Sequence, residues 1–170
     1  MITSEQIKEL RERTGISVMQ CKKALQDAGG DMDKACAILK EKGAEIASKK
    51  AHRATGSGVI DSYIHSDNKM GVLLELLCET DFVAKNDEFK ELASDIALQI
   101  AAMNPKYISS SEVPEEKRED KEYLKEHVLL LQPFVKDPSQ NIGDLIGSAV
   151  LKIGENITIS RFKRYALLEG

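Results

Sequence analysis

The sequence predicts an α+β protein: a small three-helix N-terminal bundle followed by an antiparallel three-stranded sheet packed with helices. Three observations predict it. In the first fifty residues, apolar positions recur every three or four residues, the spacing of helices with one buried face. At Val59 the period changes to short apolar or alternating runs bounded by turn residues, which read as strands. From there the elements follow in the order β-β-α-α-α-β, the segregated pattern of an α+β domain rather than the alternation of a parallel sheet.

Ser4 is placed to cap a first helix carrying Ile7 and Leu10, which Thr14 and Gly15 end. Ser17 caps a second, with Val18, Cys21, Ala24, Leu25 and Ala28 on one face and Gly29-Gly30 as its stop. Asp31 opens a third, with Met32, Ala35, Cys36, Ile38 and Leu39 apolar and Gly43 beyond its end. Ile16 falls in the loop between the first two helices. It has two readings there, a docking point on a small bundle or a residue of the bundle's own core. Ala44 to Arg53 reads as a further helix, rich in Ala and Lys, that connects to the break at Thr55-Gly56-Ser57-Gly58. The expected division is residues 1–54, bundle plus connector, and 55–170, the α+β core.

Val59–His65 and Met70–Cys78 then form a β-hairpin around the polar turn Ser66–Lys69. The second run, MGVLLELLC, is apolar at nearly every position, which predicts a central strand covered on both faces for most of its length. A helix over about Asp87–Met103, stopped by Asn104-Pro105, packs on the sheet. Glu115–Leu131 reads as a mostly solvated helix, since seven acids and four bases fall between Glu112 and Glu126. Phe134 and Val135, between Pro133 and Pro138, make an extended crossing. Ile142, Leu145, Ile146 and Ala149 mark a last helix, and Ile157–Leu168 a final strand that joins the hairpin.

Composition limits the function classes. Of 170 residues, 42% are hydrophobic and 31% charged, as in an ordinary globular protein. Aromatics are only 5% and Trp is absent, which disfavours base-stacking platforms. Residues 1–53 carry an excess of three positive charges and the remainder an excess of seven negative ones, so the two parts differ in character without forming a basic nucleic-acid footprint. No apolar run approaches the roughly 20 residues that span a bilayer, and no signal pattern opens the chain, which points to a cytoplasmic protein without membrane or direct nucleic-acid partners. Cys21, Cys36 and Cys78 match no metal or redox spacing and read as reduced interior thiols. His52, His65 and His127 have no ligand spacing, so neither metal nor cofactor is expected. Phosphate-loop, dinucleotide, zinc-protease and nucleophile-elbow motifs are all missing, and the densest acids, Glu115, Glu116, Glu119 and Asp120, lie on the solvated helix. The sequence points away from covalent catalysis.

What remains is the junction Glu79-Thr80-Asp81-Phe82-Val83, where the apolar strand turns into the helix. Thr80 and Asp81 both suit an N-cap. Phe82 either folds back as a staple on the helix's first turn or projects outward as an anchor for a partner.

Leu10-Arg11-Glu12-Arg13-Thr14-Gly15-Ile16-Ser17-Val18-Met19-Gln20-Cys21-Lys22-Lys23-Ala24-Leu25 and Glu75-Leu76-Leu77-Cys78-Glu79-Thr80-Asp81-Phe82-Val83-Ala84-Lys85 resemble, in that order, the N-terminal and second signatures of the elongation factor Ts family. Ile153-Gly154-Glu155-Asn156-Ile157 is similar to a third, weaker one. The resemblance implies a guanine-nucleotide exchange factor for elongation factor Tu, a UBA-like N-terminal bundle, and a partner surface made of Thr80, Asp81, Phe82 and Val83 with Leu10, Arg11, Thr14, Gly15, Ile16 and Met19. Asp81 and Phe82 are implied to enter the GTPase near its Mg²⁺ and phosphate contacts. Longer family members have a second core half and a coiled-coil insertion that this chain lacks, which implies a homodimer supplying the missing half. The contrasting reading is a helical adaptor whose bundle binds other partners while the α+β part is structural.

Overall fold

The computed structural model describes residues 2–169. Helices α1 (Ser4–Thr14), α2 (Val18–Asp27) and α3 (Met32–Lys50) form the bundle. Thr3, rather than Ser4, caps α1: its hydroxyl accepts the Gln6 amide while the Gln6 side chain accepts the Thr3 amide. Such a reciprocal box needs a Gln or Glu three residues on, and Thr3 has one where Ser4 has Ile7. Gly15 closes α1 in the left-handed region at φ 67°, and Ser17 and Asp31 cap α2 and α3 as expected.

Helix α3 does not stop at Gly43 but runs on through the expected connector to Lys50. The glycine serves close approach instead. A Cβ at Gly43 would lie 2.9 Å from the carbonyl carbon and oxygen of Gly147, so the backbones of α3 and α7 (Ile142–Ile153) meet with no side chain between them. Leu151 of α7 joins Leu10, Ile16, Cys21, Leu25, Ala35 and Leu39 in the apolar cluster of the bundle.

The main sheet contains β1 (Ser57–Ile64), β2 (Met70–Cys78) and β5 (Thr158–Ala166), antiparallel in the order β1-β2-β5. The hairpin register pairs Ile64 with Gly71 and Ser57 with Cys78. Beside β5 the register shifts at Glu75/Leu76, leaving Ser160 as the extra residue of a bulge. β2 is central but alternates rather than being covered on both faces. Val72, Leu74, Leu76 and Cys78 are buried, while Leu73 is exposed and Glu75 and Leu77 are half-buried, because helices cover only one face. Under that face lie Phe89, Leu92, Ile96 and Ile100 of α5 (Asp87–Met103) and Ile142 and Val150 of α7. At roughly 1.5–3 kcal/mol per fully buried side chain, this cluster is the main source of cohesion.

The charged segment is more broken than a helix over Glu115–Leu131. It comprises 3₁₀ turns at Ser110–Glu112, Glu115–Lys117 and Leu129–Leu131 around α6 (Lys121–His127). Asp120 restarts the helix by accepting the Glu122 and Tyr123 amides, and Val128 is extended to bridge Tyr107. Phe134 belongs to a second, two-stranded sheet of β3 (Pro133–Phe134) and β4 (Asp137–Asn141) in place of a lone crossing. The buried Gln99 holds it, donating to the Pro133 carbonyl at 3.1 Å and accepting the Val135 amide at 2.9 Å.

Candidate partner-binding turn

Two N-caps within seven residues build the turn. Thr80 is extended (φ −129°, ψ 154°), and its hydroxyl accepts the Val83 amide at 3.4 Å to open α4 (Asp81–Ala84), a single helical turn. Asn86 then caps α5 by accepting the Glu88 amide at 2.8 Å. One helical turn has room for one inward side, and Val83 and Ala84 take it, buried in the main core. Asp81 and Phe82 are left pointing out: Phe82 is 84% exposed. The aromatic that does enter the core is Phe89, fully buried one element later. Ser57 at the start of β1 donates its hydroxyl to Asp81 Oδ1 at 2.5 Å, fixing the carboxylate beside the exposed ring.

The backbone ahead of the turn is held from the far end of the sequence. Glu155 Oε2 accepts the amides of Glu79 (3.0 Å) and Thr80 (3.1 Å), and Oε1 accepts the Thr80 hydroxyl at 2.6 Å. Glu79 answers in kind, its Oε1 accepting the Asn156 amide at 2.7 Å. That amide, with the nearby Arg53 guanidinium, holds the Glu79 carboxyl below the usual glutamate range against the opposing effect of burial. The end of α3 is tied in as well. Arg53 reaches Glu79 at 3.6 Å, Asn156 donates its side-chain amide to the Arg53 carbonyl at 2.9 Å, and Lys50 donates to the Gly154 carbonyl.

The bundle residues implied by the resemblance fall into two groups. Leu10 and Ile16 are interior, so the Ile16 loop packs into the bundle's own core. Thr14 is half-buried, its hydroxyl donating to the Leu10 carbonyl at 2.7 Å. Arg11, Gly15 and Met19 face solvent, with Met19 at 81%. The tip of the bundle also meets the main core: a Cβ on Gly15 would sit 2.7 Å from Lys152 Nζ, and Lys152 pairs with Glu88 of α5 at 2.7 Å. Thr14, Glu88, Glu91 and Lys152 thus line one cleft.

Reading the residues alone missed Glu155, Asn156, Arg53 and Ser57 as supports of the turn. The signal available was the Ile153–Ile157 segment, which carries the weakest of the three family resemblances and in which no residue is assigned a role at the site. Cys21, Cys36 and Cys78 are free thiols. Among the described residues no group of three or more His, Cys, Asp or Glu could hold a metal ion, and no helix is long and apolar enough to cross a membrane.

The fold and site define a class: an α+β protein that displays an exposed aromatic ring and a fixed carboxylate on a clamped turn between strand and helix. Comparison with known proteins gives the family. The family model described as "Elongation factor TS" matches residues 4–123. Elongation factor Ts of Carboxydothermus hydrogenoformans is 46% identical, with 100% of this chain and 91% of the relative covered. Its counterpart in Thermodesulfovibrio yellowstonii is 48% identical over 96% of this chain and 95% of the relative. That of Thermoanaerobacter sp. is 45% identical over 100% and 97%. The chain belongs to the elongation factor Ts family, a family of translation elongation factors.

Proposed function

We propose that this protein is a guanine-nucleotide exchange factor for elongation factor Tu, acting in the cytoplasm through binding rather than covalent chemistry. The observation that carries the reading is the exposure of Phe82 on a turn fixed at both ends. Asp81 and Phe82 enter the GTPase domain, where the ring wedges between helices and disturbs the Mg²⁺ and phosphate contacts that hold GDP. Thr80 and Val83 present the pair, one as cap and one as inward anchor.

The energetics are those of linkage. A factor that binds the nucleotide-free GTPase more tightly must weaken nucleotide binding by the same factor. A hundredfold faster release needs about 2.7 kcal/mol of differential stabilisation at the release transition state. A desolvated aromatic anchor supplies energies of about 2–4 kcal/mol.

The 1–54 unit, with a UBA-like bundle, is the second contact. Arg11, Gly15 and Met19 form its accessible part, while Leu10, Thr14 and Ile16 shape the loop from within. The 55–170 unit carries the turn and the homodimer surface. Ile60, Ile64, Leu73 and Tyr165 are exposed on the uncovered face of the sheet, and a second copy of the chain would bury them. The test of the exchange reading is release of a fluorescent GDP from elongation factor Tu, fast with this protein and slow with Phe82→Ala.

A further inference from the structure

The Phe82 turn is short, with Asp81 and Phe82 in solvent, and one helical turn is not stable alone. Within residues 79–84 the Thr80 cap and the buried Val83 and Ala84 fix the helical turn itself, but no group there restrains the Glu79–Thr80 backbone that leads into it. The restraint comes from Glu155, which satisfies two backbone donors and one hydroxyl of the turn across 75 residues of sequence. Glu79 returns a bond to the Asn156 amide, so each carboxylate holds the backbone of the other's segment. Two segments joined by reciprocal side-chain-to-backbone bonds cannot slide past one another without breaking several at once.

We propose that Glu155 is a positioning residue for the Asp81–Phe82 element. It keeps the element in its binding-competent conformation before the partner arrives, and it makes no contact with the partner itself. The proposal rests on the exchange reading and adds the residue that sets how readily the partner is engaged. A protein whose competent state is populated only to a fraction f binds with an apparent Kd raised by 1/f, and an excess of partner restores full occupancy. Loss of the clamp therefore acts on half-saturation. Loss of the ring acts on the plateau rate, because the wedge itself is gone.

The chemistry also selects the informative substitutions. In Glu155→Gln the amide oxygen can take the place of Oε2 and accept the Glu79 and Thr80 amides, while its NH₂ donates to the Thr80 hydroxyl. In Glu155→Ala all three partners lose their bond.

The experiment measures fluorescent-GDP release from elongation factor Tu against the concentration of the full chain, for the wild type, Glu155→Ala, Glu155→Gln and Phe82→Ala. Amide hydrogen exchange at Glu79 and Thr80 and thermal melting are read on the same samples. Glu155→Ala is expected to raise the half-saturating concentration about tenfold with a plateau within about twofold of wild type, the signature of a reduced competent fraction. It should also expose both amides to exchange, and Glu155→Gln should restore half-saturation to within about threefold. An unchanged half-saturation in Glu155→Ala overturns the proposal. So does a plateau that falls along with the melting temperature, or a loss that Gln does not relieve. If Phe82→Ala releases GDP as fast as wild type, the exchange reading itself fails, and the amide exchange still reports whether Glu155 orders the turn.

Discussion

Phe82 and Phe89 lie seven residues apart, the separation that puts two side chains on the same face of a continuous helix, yet one is 84% exposed and the other fully buried. The break at Lys85-Asn86 separates their fates. It ends α4 after one turn and lets Asn86 start α5 as a separate helix, and Phe89 enters the core while Phe82 stays in solvent.

The contrast predicts opposite stability effects. Phe89→Ala should lower unfolding stability by about 3–5 kcal/mol, the usual cost of removing a core aromatic. Phe82→Ala should stay within about 0.5 kcal/mol of wild type. Urea unfolding of both variants checks this, and a large loss for Phe82→Ala would mean that the ring packs in solution.

The contact of α3 with α7 is predicted to be intolerant of even one methyl group. Gly43→Ala improves helix propensity by about 1 kcal/mol, but it pushes a Cβ to 2.9 Å from the Gly147 carbonyl. Overpacking of that kind costs about 1–3 kcal/mol, so a net loss of about 1 kcal/mol is expected in chemical denaturation. A more stable Gly43→Ala would show that the helices can separate freely.

Glu79 gives a pH dependence of definite sign. Its folded-state pKa is depressed, first by the Asn156 amide and then by Arg53. Its contribution is therefore complete above the unfolded glutamate value of about 4.3 and is lost as pH falls through the lower folded value. In an NMR titration the Asn156 amide proton should move with a midpoint below about pH 4.3. A midpoint at or above that value would mean that the bond does not favour the ionised form.

The uncovered sheet face predicts self-association. Sedimentation at micromolar concentration should give twice the mass of one chain, and Leu73→Lys, which puts a charge in the middle of that face, should give the single-chain mass. A wild-type protein that sediments as one chain would contradict the homodimer.

Much of the fold is legible in the sequence because local chemistry decides it. The bounds of β2 at Met70 and Cys78, the stops at Gly15 and Asn104, and the caps Ser17, Asp31 and Thr80 all follow from residues within a few positions. Where the reading fails, a distant contact overrides local preference. Gly43 resembles a helix stop until Gly147 is seen against it. The charged stretch resembles one helix until Tyr107 draws Val128 into a bridge. An unbroken apolar run suggests burial on both faces of β2, but the helices cover only one. The same limit applies at the site. Thr80 could be recognised as a cap from its neighbours, whereas its partner Glu155 lies 75 residues away and no spacing rule connects the two.

The central claim is that Phe82 drives exchange. Its most direct test is stopped-flow release of fluorescent GDP from elongation factor Tu, with wild-type protein and with Phe82→Ala at saturating concentration. The account predicts release faster than the spontaneous rate by about a hundredfold or more with wild type, and a fall of at least about tenfold in that rate with Phe82→Ala, equivalent to about 1.4 kcal/mol at the transition state. Equal rates for the two proteins would contradict it.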